Sequence, residues 1–344
     1  MMGQALFLIT TAAAGFLLSF AGVPAGWLVG GILCGVLLQF LLRDRRIKSD
    51  WFTFFKVFIG LNIGVMFDVG VFSQSGELLL PFVLVLVLTL LGGSALGWLM
   101  YRFSKLDPVT AFFCCIPGGA SEVISVSKEY GADQRIVAAF HSARIISIVL
   151  ITPICLALVS GMEIERGAGM PFRQFAGSEA LILLVFGMAA FGLNRSFKIP
   201  AGSLIYSIAI GFIAQQLLID STATSRVMAA FAQAWIGGVI GLQFDRDTMR
   251  QIRRMGRIGS LVLVLYYLMG LGVTVVFDGM TSGGFVTSYL SVIPAGAVEM
   301  AAIASSLGLE ATTVAALQIS RLLLIFFIMP KLIQSFLPLL RSRR

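Results

Sequence analysis

Ile116-Pro117-Gly118-Gly119-Ala120-Ser121-Glu122 returns as Ile293-Pro294-Ala295-Gly296-Ala297-Val298-Glu299, 177 residues later (294 − 117). The register holds on both sides of this motif. Downstream it pairs Gly131 with Gly308, Val137-Ala138-Ala139 with Val314-Ala315-Ala316, Arg144 with Arg321 and Pro153 with Pro330. Upstream, Gly60 and Gly64 match Gly237 and Gly241, and Phe67-Asp68 matches Phe244-Asp245, at the same offset. Pro24-Ala25-Gly26, Gly35 and Gln39 match Pro200-Ala201-Gly202, Gly211 and Gln215 at 176, a slip of one residue. The chain is one architectural unit written twice.

Composition says where that unit lives. The 344 residues are 58% apolar and 12% charged, with a mean hydropathy of +0.95, which is the composition of a polytopic membrane protein and not of a soluble globule. Apolar stretches of roughly 20 residues, long enough to cross about 30 Å of hydrocarbon, recur with short polar gaps. The first, 4–20, has no basic region before it and corresponds to the interior stretch 179–193, so it reads as a retained helix and not a cleaved signal. Cys34, Cys114, Cys115 and Cys155 all sit in apolar segments without CxxC spacing, which gives no disulfide framework and no zinc site. The net charge of +8 comes from short gaps between apolar segments. Anionic lipid and topology account for it better than nucleic acid does.

Each half carries six apolar segments: 4–20, 24–42, 52–68, 78–100, 107–127 and 136–159, then 179–193, 200–218, 227–244, 258–277, 283–305 and 312–339. The expected organisation is a first membrane repeat over 1–160, an outside linker over 161–178 and a second repeat over 179–344. Arg43, Arg45, Arg46 and Lys48 follow segment two of the first half, whereas Arg246, Arg250, Arg253, Arg254 and Arg257 follow segment three of the second. Under the positive-inside rule the second half is therefore inverted relative to the first. Inversion requires an odd number of crossings per half. The fifth segment is the candidate for incomplete crossing, because Pro117-Gly118-Gly119 and Pro294-Ala295-Gly296 break its middle. The predicted fold is all-α, with about ten transmembrane helices (5+5) plus two broken or re-entrant Pro-Gly hairpins, and with both termini cytoplasmic. Segments 43–50, 101–107, 128–135, 194–199, 245–257 and 341–344 then hold 18 of the 25 Lys and Arg on the inside, against Arg166, Arg173 and Arg226 outside. An alternative keeps the fifth segment as an unwound but fully crossing helix and demotes another. Non-helical backbone at membrane depth needs protein or a water-filled cavity around it, so the two breaks are expected to border a central site.

The residues expected to line that site are Pro117, Gly118, Gly119, Ser121, Glu122, His141, Arg144, Pro294, Gly296, Glu299 and Arg321. Glu122 and Glu299 lie just inside the helix that restarts after each break, where exposed N–H groups favour a carboxylate. An ionisable group at membrane depth also marks an ion or proton pathway, and cation sites in transporters combine unwound backbone with carboxylates. Arg144 and Arg321 fall in mid-segment six and need partners there. Glu122 and Glu299 are the obvious ones, in a buried ion pair or around an anionic substrate. His141, the sole histidine, lies three residues before Arg144 and is replaced by Gln318 in the other half; it is either a hydrogen-bonded core residue or a proton relay. Pro24-Ala25-Gly26 and Pro200-Ala201-Gly202 read as helix openings, and the Gly60/Gly64 and Gly237/Gly241 faces as close-packing surfaces.

The doubled Pro-Gly-Gly-Ala-Ser-Glu and Pro-Ala-Gly-Ala-Val-Glu motif, spread over nearly the whole chain, resembles the AbrB-duplication family of bacterial inner-membrane proteins. That family is in turn distantly similar to the cation/proton antiporter and anion transporter group. The resemblance implies an ion-coupled secondary transporter of a small solute in the bacterial inner membrane. A membrane sensor acting indirectly on gene expression is the alternative. Some family members bear an ammonia monooxygenase label, but one histidine and no His/Asp/Glu cluster cannot assemble a copper or iron oxygen site, so no enzyme activity, metal or cofactor is expected. Direct DNA binding lacks a soluble basic domain to carry it. The expected partners are the solute and membrane lipid, with a homodimer left open.

Overall fold

The computed structural model describes residues 2–42, 49–66, 75–160, 177–199, 202–218 and 222–341. All regular structure among them is helical. The first half supplies α1 (Met2–Phe20), α2 (Gly26–Leu42), α3 (Ser49–Val65), α4 (Ser75–Phe103), α5 (Pro108–Cys115), α6 (Ala120–Glu129) and α7 (Gln134–Ser160). The second supplies α8 (Gly177–Ser196), α9 (Gly202–Leu218), α10 (Thr222–Leu242), α11 (Arg246–Asp278), α12 (Phe285–Val292), α13 (Ala297–Ser306) and α14 (Ala311–Arg341). Segment for segment the two halves match, and each fifth segment has become two short helices.

Five helices are long and apolar enough to cross a membrane, at Leu78–Phe103, Gln134–Pro153, Gly177–Ser196, Arg246–Asp278 and Ala311–Met329. Shorter apolar helices occupy Ala5–Phe20, Gly26–Leu41, Thr53–Val65 and Arg226–Leu242. Leu261, Val264, Leu268 and Val275 form an outward, solvent-accessible stripe along α11, and Leu181, Leu184, Val185 and Met188 do so on α8. Large apolar faces turned outward at helical spacing are what a lipid-embedded helix presents.

Local chemistry explains the breaks. Pro108 opens α5 at N1, and Asp107 Oδ1 accepts the Thr110 N–H at 2.9 Å. The helix stops before Pro117, whose ring forces Ile116 into extended backbone (φ −64°, ψ 130°). Ile293 before Pro294 is extended in the same way (φ −54°, ψ 129°). The turn that follows also recurs. Gly131 and Gly308 take positive φ (80° and 67°), while Ala132 N–H donates to Ser127 O at 3.0 Å and Leu309 N–H to Ala304 O at 2.9 Å. These are the glycine-terminated helix ends that the 177-residue register pairs. In the first half the Asp133 N–H donates to Thr110 Oγ1 at 2.9 Å, and the Phe113 and Tyr130 rings lie 6.0 Å apart. The start of α5 and the end of α6 are thus side by side.

Two expectations change. The cationic stretch 245–257 is not a loop but the first turns of α11, which bends at Gly256 (φ 63°, ψ −158°), a backbone conformation that glycine adopts without strain. Met255 buries against the neighbouring core and Ile252 packs beside it, while Arg250 pairs with Asp247 at 3.3 Å on the exposed side. Pro24 does not open α2 but precedes it, followed by Ala25 at φ 50°. Pro200 and Ala201, residues 43–48, Asp68, most of the linker (161–176) and residues 342–344 lie outside the described residues.

The chain divides into two compact units that cut across the repeats. The first gathers Met1–Gly70, Val149–Asp245 and Ala297–Ala315, and the second Val71–Ile148, Arg246–Gly296 and Ala316–Arg344. In the first unit α2 packs along α10 and α3 along α9, so segment two of each repeat meets segment three of the other. Glycines permit the approach. A Cβ on Gly35 would lie 2.2 Å from Gly238 O and one on Gly211 2.5 Å from Leu61 O, while a Cβ on Gly241 would lie 2.3 Å from Ile32 O and one on Gly64 2.2 Å from Ile208 O. Each contact has its repeat-related twin. Residue numbers rise together across α2 and α10 (Gly31 with Ala234, Gly35 with Gly238), so the pair runs parallel. In the second unit α4 packs on α11, with α5 against α4 and α12 against α11. A Cβ on Gly93 would fall 2.7 Å from Pro117 Cδ, and one on its counterpart Gly270 would fall 2.5 Å from Ile293 Cδ1 and 3.4 Å from Pro294 Cδ, so both breaks seat on a glycine.

Candidate functional site

A proline that stops a helix in a protein interior creates a specific vacancy. Pro117 has no N–H for the carbonyl four residues back, Phe113 O, and an unsatisfied carbonyl in hydrocarbon costs several kcal/mol. His141 fills the vacancy: its Nε2–H donates to Phe113 O at 3.0 Å. Pro294 does the same to Leu290 O, and Gln318 Nε2 donates to that carbonyl at 2.7 Å. The His141–Phe113 and Gln318–Leu290 bonds are related by the 177-residue repeat. Both polar side chains are fully enclosed. His141 is accordingly a hydrogen-bonded core residue carrying its proton on Nε2, and Gln318 is its functional equivalent.

One turn further on, each arginine meets the same exposed helix end. Arg144 Nη1 donates to Ile116 O at 3.5 Å and to the Tyr266 hydroxyl at 2.9 Å, and Nη2 donates to Gly118 O at 3.4 Å. Its guanidinium also lies over the Tyr266 ring, 4.8 Å from the centroid. Arg321 donates from Nη1 to Val292 O and from Nη2 to Gln318 Oε1, and Gln318 in turn also reaches Ile293 O at 3.0 Å. Cations at the C-termini of α5 and α12 complement the partial negative charge of the unpaired carbonyls. The expected pairing of Arg321 with Glu299 is corrected: a carbonyl and an amide oxygen take up its guanidinium, because the helix break next to it exposes acceptors closer at hand. The side chains of Ser121 and Glu122 lie outside the described residues.

Within the second unit the structure thus gathers Pro117, Gly118, His141 and Arg144 from the first repeat with Pro294 and Arg321 from the second around Tyr266, whose hydroxyl feels both arginine charges. A Cβ on Gly118 would fall 2.8 Å from Val123 Cγ2, so a side chain there would require Val123 to shift. Gly119 supplies the first carbonyl of α6, bonded by Val123 N–H at 2.9 Å. Gly296 ends this unit and is partly buried.

Glu299 belongs to the first unit, in the first turn of α13, and is 7% exposed. Lys56 of α3 supplies an opposing charge to its carboxylate. Around it α13 is tied to α3 and α10 by polar bonds: Asn62 Nδ2 donates to Ser305 Oγ at 3.0 Å, and Gln233 Nε2 to Ala302 O at 3.5 Å. Lys56 and Gln233 are repeat-related positions, and both act on α13, Lys56 through its charge on Glu299 and Gln233 through its bond to Ala302 O.

Tyr266 and the Gly93/Gly270 pair were not among the residues expected from sequence. The glycines carry the 177-residue signal and were recoverable. Tyr266 replaces Thr89 of the first repeat, so no internal symmetry marks it.

A family model described as "Transition state regulatory protein AbrB" matches residues 27–337. The chain is 25% identical to "Uncharacterized protein YhjN" of Bacillus subtilis, over 94% of this chain and 90% of that protein. It is 23% identical to "Putative regulator AbrB" of Escherichia coli, over 87% of this chain and 86% of that one. No solved structure matches.

Proposed function

The chain belongs to the AbrB family, and from that premise we propose that it is an inner-membrane secondary transporter that moves a small solute, coupled to an ion, through a site at its two broken helices. The observation that carries this reading is the doubled break. Each copy of segment five breaks between two short helices, and ionisable side chains lie beside buried backbone within each unit: buried Arg144 and Arg321 in one, buried Glu299 opposed by Lys56 in the other. Unwound backbone and ionisable groups at membrane depth are costly and are kept where a solute or ion must be bound and released.

The same proposal includes ten crossings in an inverted repeat, with the fifth segments re-entrant and both termini cytoplasmic. Support for inversion comes from the parallel pairing of α2 with α10: consecutive crossings alternate in direction, so segment two of one repeat can run parallel to segment three of the other only if the repeats are upside down. Support for re-entrance comes from the Asp133–Thr110 bond, since a fully crossing segment would hold those residues about 30 Å apart. No catalytic step or cofactor enters this reading; lipid is the expected environment and nucleic acid is not a ligand.

Flux of a solute panel by the purified protein in proteoliposomes tests it. Saturable flux that Glu299→Gln abolishes is expected. Binding without flux would favour a sensor, the second reading, which the name of the Escherichia coli relative suggests.

A further inference from the structure

Within the second unit, buried side-chain charge beside the two breaks does not balance among the described residues. Arg144 and Arg321 bring two positive charges, both buried, at 1% and 6% exposure. Against them stand the C-termini of α5 and α12, which contribute roughly −0.5 each. About one positive charge is left over. Arg144 bonds the Tyr266 hydroxyl and lies over its ring, and the Arg321 charge acts electrostatically on both. Arg144 Nε, enclosed and without a hydrogen-bond partner, is a donor still to be used. Tyr266 spends its oxygen accepting from Arg144, which leaves the hydroxyl proton available to a further acceptor. A species that accepts from Nε and from the tyrosine hydroxyl and carries one negative charge completes the arrangement.

We propose that the Arg144–Tyr266–Arg321 cluster is the recognition site for a small monocarboxylate, which is the solute of the transport reading above. A carboxylate offers two coplanar acceptors to guanidinium donors, and a single charge matches the excess. Neutral and cationic solutes would leave the second arginine uncompensated. Because the site takes residues from both repeats, neither repeat alone forms it.

The test is thermal unfolding of the full-length protein in detergent micelles with sodium acetate, lactate or benzoate, each against equal sodium chloride and against acetamide. At least one carboxylate should raise the unfolding temperature saturably, with chloride and acetamide inert. Tyr266→Phe, which keeps the ring and removes the hydroxyl, should weaken that carboxylate about tenfold, and Arg144→Lys at least as much. Absence of a saturable effect from all three carboxylates overturns the proposal, as does an effect that appears only in Glu122→Gln, which would mean that the protein's own carboxylate fills the site. Flux separates the two readings. Flux of a neutral or cationic solute without carboxylate binding leaves transport standing and removes the anion; carboxylate binding without flux does the reverse.

Discussion

His141 Nε2 lies 3.0 Å from Phe113 O, the one carbonyl that Pro117 deprives of its helical partner. In the second copy Gln318 and Leu290 stand in the same relation to Pro294. A helix break inside a membrane protein thus comes with its own repair, placed on the following helix at a fixed offset.

That relation predicts interchangeability. His141→Gln should keep the fold, because glutamine already performs the task at 318, whereas His141→Leu should cost about 1–3 kcal/mol by leaving a buried carbonyl unmet. Thermal unfolding in micelles distinguishes the two. Equal losses for both variants would mean that the imidazole does something other than donate to Phe113 O.

Restoring the missing donor should close the break. Pro294→Ala supplies an N–H that competes with Gln318 for Leu290 O. The expected result is normal insertion and stability with solute flux reduced at least tenfold. Full flux would show that the break at 294 is dispensable.

The glycine contacts predict a graded response. Gly241→Ala places a Cβ 2.3 Å from Ile32 O, and Gly211→Ala 2.5 Å from Leu61 O; each should destabilise by about 1–3 kcal/mol because backbone cannot yield as a side chain does. Gly272→Ala meets nothing within 4 Å and should be neutral. Size-exclusion profiles of fluorescent fusions report the folded fraction.

Glu299→Gln is expected to abolish ion-coupled flux while leaving expression intact, since Asn62 and Gln233 still anchor α13. Asn62→Ala should lower stability by about 1 kcal/mol and spare coupling. If Glu299→Gln merely unfolds the protein and purified residual material transports normally, the carboxylate is a structural helix-terminal charge.

Topology has its own check. Single cysteines at Lys48 and Arg250 in a cysteine-free background should react with impermeant thiol reagents from the same, cytoplasmic side. Labelling from opposite sides would remove the inverted repeat and with it the parallel-pairing argument.

Sequence alone determined the doubling, the membrane class and the position of both breaks, because each depends on local facts: a hydrophobic run, a proline without an N–H, a glycine where φ turns positive. It also marked the candidate site residues twice, through the repeat. What the arginines do was decided only by the tertiary structure. Burial dictates that Arg144 and Arg321 find partners, but a sequence cannot rank a carboxylate two elements away against carbonyls that a neighbouring break has left unpaired. The compact units were likewise invisible, because they form by exchange of segments between repeats, and which helix faces which depends on the glycine surfaces meeting in three dimensions. Tyr266 falls in the same class: unrelated to its repeat counterpart, it becomes part of the site only because α11 carries it to Arg144.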